Sequence, residues 1–162
     1  MTRNDRLAIF LTVIIILCLC IISLFTVYGH QAQKSMHGYE WLTPELYGTI
    51  KESSEKYGHD QALICALIHV ESRGRNIVSR VNRNGTRDYG LCQINSVHRP
   101  HDPGAFLDPA VNIEMGCKFL RYCRDRGGNI YEAVRMYNAG PNSKVTHNHI
   151  YVVRVLDNYR ER

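Results

Sequence analysis

The sequence predicts an α+β domain, predominantly helical, with one small β-hairpin and a single transmembrane helix ahead of it. Three observations carry that expectation. Capping residues followed by apolar residues at helical spacing recur along the chain after Thr43. Helical periodicity lapses between Ile77 and Asn95, where Asn84-Gly85 is a tight-turn signal. Near the N-terminus, the apolar stretch Leu7 to Tyr28 contains no charged residue.

That first stretch would be about 33 Å long as a helix, enough to cross a bilayer core of roughly 30 Å. Arg3 and Arg6 precede it and favour a cytoplasmic N-terminus. The expectation is a single-pass anchor in the cytoplasmic (inner) membrane, with everything after Tyr28 outside, in the periplasm. A cleaved signal peptide ending near Val27-Tyr28-Gly29 is the rival reading, but the apolar run is longer than a usual signal core. Cys18 and Cys20 follow Leu17 and Leu19, poor neighbours for a lipid-anchor cysteine, and read as apolar filler. The next residues are polar and aperiodic, giving an expected division into anchor 1–28, tether 29–39 and one domain 40–162.

Within that domain, Thr43-Pro44-Glu45 combines an N-cap, a proline at the first helical position and an early acid, so a helix should run to Tyr57 and stop at Gly58. Gln61 to Ser72 is the element around which the rest is organised. Asp60 is its N-cap, and Ala62 to Ile68 are apolar without a break. Leu63, Ala66, Leu67 and Val70 form one stripe and Ile64 and Ile68 another, the pattern of a buried helix. Glu71 stands at its end among apolar neighbours, where desolvation raises a carboxyl's pKa and lets it act as a general acid near neutral pH.

The hairpin is expected around Asn84-Gly85, with Val81 before the turn and Tyr89, Leu91 and Ile94 after it. Asp108-Pro109 opens a further helix that closes at Gly127-Gly128. Asn129 with Glu132 has the form of a capping box for a short helix through Tyr137 and Asn138, stopped at Gly140-Pro141. A last helix from about Asn148 would turn Ile150, Val153 and Leu156 or Asp157 inward.

The net charge is +5, and between Arg73 and Arg99 there are six arginines against one acid, Asp88. Such a patch suits an anionic polymer, and placement outside the cytoplasm argues for a carboxylate-bearing glycan and against nucleic acid. Cys65, Cys92, Cys117 and Cys123 lie in the outer domain, where one bridge between distant cysteines is open; Cys117 and Cys123 point to different sides of one helix, and Cys65 reads as core. There is no close CxxC pair and no HExxH, so neither a metal nor a cofactor is expected.

The chemistry sits in three segments: Glu71-Ser72, Gly90-Leu-Cys-Gln-Ile94 and Arg135-Met-Tyr-Asn-Ala-Gly-Pro141. In this order they resemble the lysozyme-like superfamily, most closely the soluble lytic transglycosylase (SLT) domain. The likeness extends through Asn112-Ile-Glu-Met-Gly116 and Tyr151-Val-Val-Arg-Val-Leu156. It implies a lysozyme-like fold and a peptidoglycan lytic transglycosylase, in which Glu71 acts first as acid and then as base and the product closes as a 1,6-anhydro sugar. It also implies that Ser72, Asn82, Tyr89, Gln93, Tyr137 and Asn138 hold the glycan, with Tyr137 in hydrogen-bond reach of the Glu71 carboxylate. Gly90 and Gly140 would let the backbone approach a bulky glycan. Small secretion-associated transglycosylases resemble the chain in anchor and length, which points to peptidoglycan strands and a secretion, pilus or flagellar assembly as partners.

Three features depart from the pattern. The first is a stretch from Glu71 to Asn82-Arg-Asn-Gly85 about two residues longer than usual, which leaves open whether Ser79 or Asn82 takes the polar position facing the acid. Cys92 stands where the family has methionine. Asp88-Tyr-Gly-Leu-Cys-Gln-Ile-Asn-Ser96 also resembles the animal-type lysozyme segment, in which that Asp is the second catalytic carboxylate. Asp88 is thus a candidate second carboxylate, beside a bracing role in the hairpin or a pairing with Arg83 or Arg87. A hydrolytic muramidase using Glu71 and Asp88 is the near alternative, and a non-catalytic glycan-binding module of such an assembly the more distant one.

Overall fold

A computed structural model describes residues 10–24, 38–99, 101–143 and 149–160. The chain divides into two compact units, 1–38 and 39–162. In the first, residues 10–24 form helix α1, whose apolar side chains from Phe10 to Leu24 are exposed. No helix among the described residues is long and apolar enough to cross a membrane. Both ends of the expected span, 7–9 and 25–28, lie outside the described residues, as do 29–37 of the tether.

The second unit is predominantly helical, and its first four helices start where capping chemistry places them. Helix α2 (Pro44–Tyr57) is capped by Thr43, whose hydroxyl accepts from Leu46 N, and ends at Gly58 in the left-handed region. Asp60 caps α3 (Gln61–Ser72) by accepting from Ala62 N at 2.8 Å. Asp108 caps α4 (Pro109–Gly127) through Ala110 N and Val111 N. Asn129 caps α5 (Ile130–Ala139) through Glu132 N, while the Glu132 carboxylate receives Arg135. Helix α6 (His149–Arg160) closes the unit; Asn148, its expected start, lies outside the described residues. Helix α3 runs through the middle, buried from Leu63 to Ile68, and packs on α6 and α2, while α4 packs on α2 and α5.

Two expectations change, and the structure gives the state of the cysteines, left open by the sequence. The sheet is β1 (Asp88–Tyr89) antiparallel to β2 (Ile94–Asn95), joined through Gly90 to Gln93, not through Asn84-Gly85. Asn84-Gly85 does reverse the chain, with Asn82 N donating to Thr86 O at 2.7 Å, but the ladder beyond it is a single bridge between Val78 and Tyr89. Side chains explain this: Thr86 bonds Asn84 and Asn82 within the turn, and Ser79 Oγ accepts from Asp88 N, so local bonds replace a longer ladder. On α6 the inner face is Val152 and Val155, both fully buried, while Ile150 is 66% exposed. Residues 150–156 are apolar except Arg154, so periodicity does not choose a face there; packing on α3 does. Finally, Cys65, Cys92, Cys117 and Cys123 are all buried free thiols, with no disulfide among the described residues.

Candidate active site

The end of α3 delivers Glu71 to a cleft of about 690 Å³. Its carboxyl is half-buried, and Tyr151 of α6 donates its phenolic O–H to Oε1 at 2.5 Å. Desolvation is the main cause that pushes the Glu71 pKa up to about 7, and the negative charge of Asp88 adds to it. The Tyr151 hydrogen bond acts in the opposite sense by favouring the ionised form. The carboxyl is therefore poised between donor and acceptor near neutral pH, as a group that must give a proton and take one back requires. The resemblance gave the contact to Tyr137; the structure gives it to Tyr151, eighty positions along the chain. Tyr137 is turned elsewhere, its O–H donating to Cys92 O at 2.9 Å.

A buried amide fixes the loop that forms the next part of the cleft. Asn112, on the first turn of α4, accepts from Cys92 N at 2.7 Å and donates to Tyr89 O and Phe106 O. Gly90 lies so close to it that a Cβ there would stand 2.3 Å from Asn112 Nδ2, at a φ of +75°. Gly90 thus serves this internal packing and not the approach of a glycan. Gly140 has open space around it and lines the cleft. Gln93 adopts φ of 48° and its amide donates to Gly90 O and Ile77 O, bracing the loop while lining the cleft. Cys92 is fully buried against Gly116 under this loop, and burial holds its thiol well above the usual range, so it is unreactive filler.

Asp88 faces the same cleft from β1. Its two oxygens accept from Asn82 Nδ2 at 3.0 Å and Asn95 Nδ2 at 2.7 Å, so its partners are amides and not Arg83 or Arg87. Bracing and cleft exposure are combined in one residue.

Of the residues selected from sequence, Glu71, Asp88, Gln93, Tyr137 and Asn138 line the cleft together. Three do not. Ser72 is 2% exposed and its hydroxyl donates back to Ile68 O, closing the helix end. Asn82 holds Asp88, and Tyr89 lies along a separate shallow depression with Arg87 and Pro103. Sequence reasoning missed Tyr151, the partner of Glu71, and it missed Asn95, His98, Phe119 and Tyr122, which line the cleft. Tyr151 stood within a segment already resembling the family, but nothing local marked it as facing Glu71.

The arrangement, a buried acid at a helix end facing a polar cleft, agrees with a comparison to known families: the transglycosylase SLT domain model matches residues 48–150. The chain belongs to that family. Among curated proteins, the SLT domain is similar to Protein IpgF of Shigella sonnei, 31% identical over 100 residues, covering 57% of this chain and 66% of that protein. It is also similar to Invasion protein IagB of Salmonella typhimurium, 27% identical over 118 residues, covering 68% of this chain and 74% of that one. A shorter likeness, 46% over 48 residues, joins it to a lysozyme of Galleria mellonella, over 27% of this chain and 40% of the lysozyme. The match thus spans just under two thirds of IpgF's length.

Proposed function

We propose that the protein is a peptidoglycan lytic transglycosylase that cleaves the β-1,4 bond between N-acetylmuramic acid and N-acetylglucosamine. The observation that carries this is Glu71, a half-buried carboxyl with its pKa raised to about 7, held by Tyr151 and open to the cleft. Protonated Glu71 gives its proton to the glycosidic oxygen as the C1–O bond breaks, releasing the N-acetylglucosamine side as an alcohol. The resulting carboxylate, supported by the Tyr151 O–H, then removes the proton from the O6 hydroxyl of the muramic sugar as O6 attacks C1. The product is a 1,6-anhydro end, the acid is restored, and no water is consumed. Gln93, Tyr137 and Asn138 border the space where the sugar must be held for one oxygen to meet Glu71.

The proposal includes a setting. The uncharged run Leu7 to Tyr28 behind Arg3 and Arg6 supports an anchor in the inner membrane with the SLT domain outside. The invasion protein among the relatives supports local wall opening for a secretion, pilus or flagellar assembly.

A second reading, hydrolysis by Glu71 and Asp88 together, is favoured by one observation: Asp88 lines the same cleft. A non-catalytic glycan binder has no need of an acid tuned to pH 7. Mass spectrometry of peptidoglycan digested by the full chain, Glu71→Gln and Asp88→Asn separates these readings. Products lighter by one water, abolished by Glu71→Gln and retained in Asp88→Asn, are expected. Reducing-end products needing both carboxylates would make the enzyme a muramidase, and an unaffected Glu71→Gln phenotype in cells would favour the binder.

A further inference from the structure

The cleft lining divides into two chemistries. The hairpin side presents Asn84, Asp88 and Asn95. Beside these polar groups the lining is aromatic and centres on Phe119 of α4, which lies near three rings. Its centroid lies 5.3 Å from Tyr137, 5.1 Å from His98 and 6.3 Å from Tyr122, the last nearly parallel at 17°. The series climbs from the floor, where Tyr137 is 8% exposed, to the rim, where Tyr122 is 49% exposed.

Tyr122 has no evident work in the fold. It contributes little to the core, and its hydroxyl has no hydrogen-bond partner among the described residues. The neighbouring imidazole of His98 is held below its usual range by desolvation, which keeps it neutral and suited to apolar contact at pH 7. An N-acetylhexosamine ring has matching asymmetry, with C–H bonds on its faces and hydroxyl and acetamido groups around its edge. Set against this cleft, a C–H face meets rings while the edge meets amides and a carboxylate.

We infer that Phe119, Tyr122 and His98 form a stacking subsite for the C–H face of one N-acetylhexosamine ring, with Tyr122 the residue that sets glycan affinity. The inference rests on the glycan-cleaving reading above and adds a binding determinant to it. Such a contact is made equally in the bound and the reacting strand, so its removal raises KM and leaves kcat nearly unchanged.

The test uses the full chain in detergent with Glu71→Gln as the non-cleaving parent, and chitohexaose as the probe, followed by calorimetry. Tyr122→Ala should weaken binding about tenfold, and Tyr122→Phe should stay within about twofold of the parent, because the ring and not the hydroxyl makes the contact. In the Glu71 background, Tyr122→Ala should raise KM for peptidoglycan with kcat held. Equal binding by Tyr122→Ala and the parent would overturn the subsite while leaving the enzyme reading intact. A loss in Tyr122→Phe as large as in Tyr122→Ala would also overturn it, assigning the contact to a hydrogen bond. Failure of the Glu71→Gln parent to bind chitohexaose or peptidoglycan would instead overturn the reading of the cleft, and the subsite with it.

Discussion

At the scale of single residues, function turns on opposing influences on Glu71. Burial and the Asp88 charge raise its pKa, and the Tyr151 hydrogen bond lowers it. A general acid must be protonated, so activity should fall as pH rises through about 7, where Glu71 loses its proton. The two neighbours then predict shifts of opposite sign. Tyr151→Phe removes a donor that favours the carboxylate, so the alkaline limb of the kcat profile should move to higher pH. The lost positioning should also lower kcat about tenfold. Asp88→Asn removes a like charge, so the same limb should move to lower pH even if Asp88 takes no part in bond cleavage. A pH–rate profile of the three proteins checks both. Limbs that coincide would mean that Glu71 is not the titrating acid. Glu71 was legible in sequence because one helix carries both its apolar surroundings and its own position. Tyr151 was not, because the contact joins two helices whose relative rotation no local pattern records.

At the scale of elements, α2 to α5 were legible because each begins with a side chain that satisfies its first backbone N–H groups. Thr43, Asp60, Asp108 and Asn129 all do so. The β region was less legible, since two-residue strands carry no alternation and their placement is set from outside, by α4. Asn112 is the agent: one buried amide bonds three backbone groups of the loops that flank the cleft. Replacing it by Ala strands those groups in the interior and should cost roughly 3 kcal/mol or more. Gly90→Ala should be at least as damaging, because its Cβ would collide with both Asn112 and the Phe106 carbonyl. Gly140→Ala meets no neighbour, so its cost should be only the strain of placing a Cβ at φ 84° and ψ 147°, a region kept almost entirely to glycine, about 1–3 kcal/mol. Urea unfolding of the three variants tests the order; a Gly140→Ala as destabilised as Gly90→Ala would refute the packing argument.

At the scale of the whole molecule, the charge asymmetry seen in sequence survives folding. Asp88, the one acid between Arg73 and Arg99, gives both oxygens to amides. Arg73, Arg80 and Arg83 are exposed, and their side chains have no acidic partner among the described residues. Three guanidinium groups are thus left for solvent or for an anion brought by the substrate. Peptidoglycan carries carboxylates on its stem peptides, whereas chitohexaose is neutral, so the two ligands isolate the charge effect. Binding of the Glu71→Gln chain to peptidoglycan should weaken severalfold as salt rises from about 50 to about 300 mM, because exposed charges are screened over that range. Arg80→Ala with Arg83→Ala should flatten that salt dependence and leave chitohexaose binding unchanged, since a neutral sugar depends on the aromatic wall and the amides. Equal losses on both ligands would mean that the arginines support the fold of the hairpin, and an unchanged salt slope would remove them from recognition.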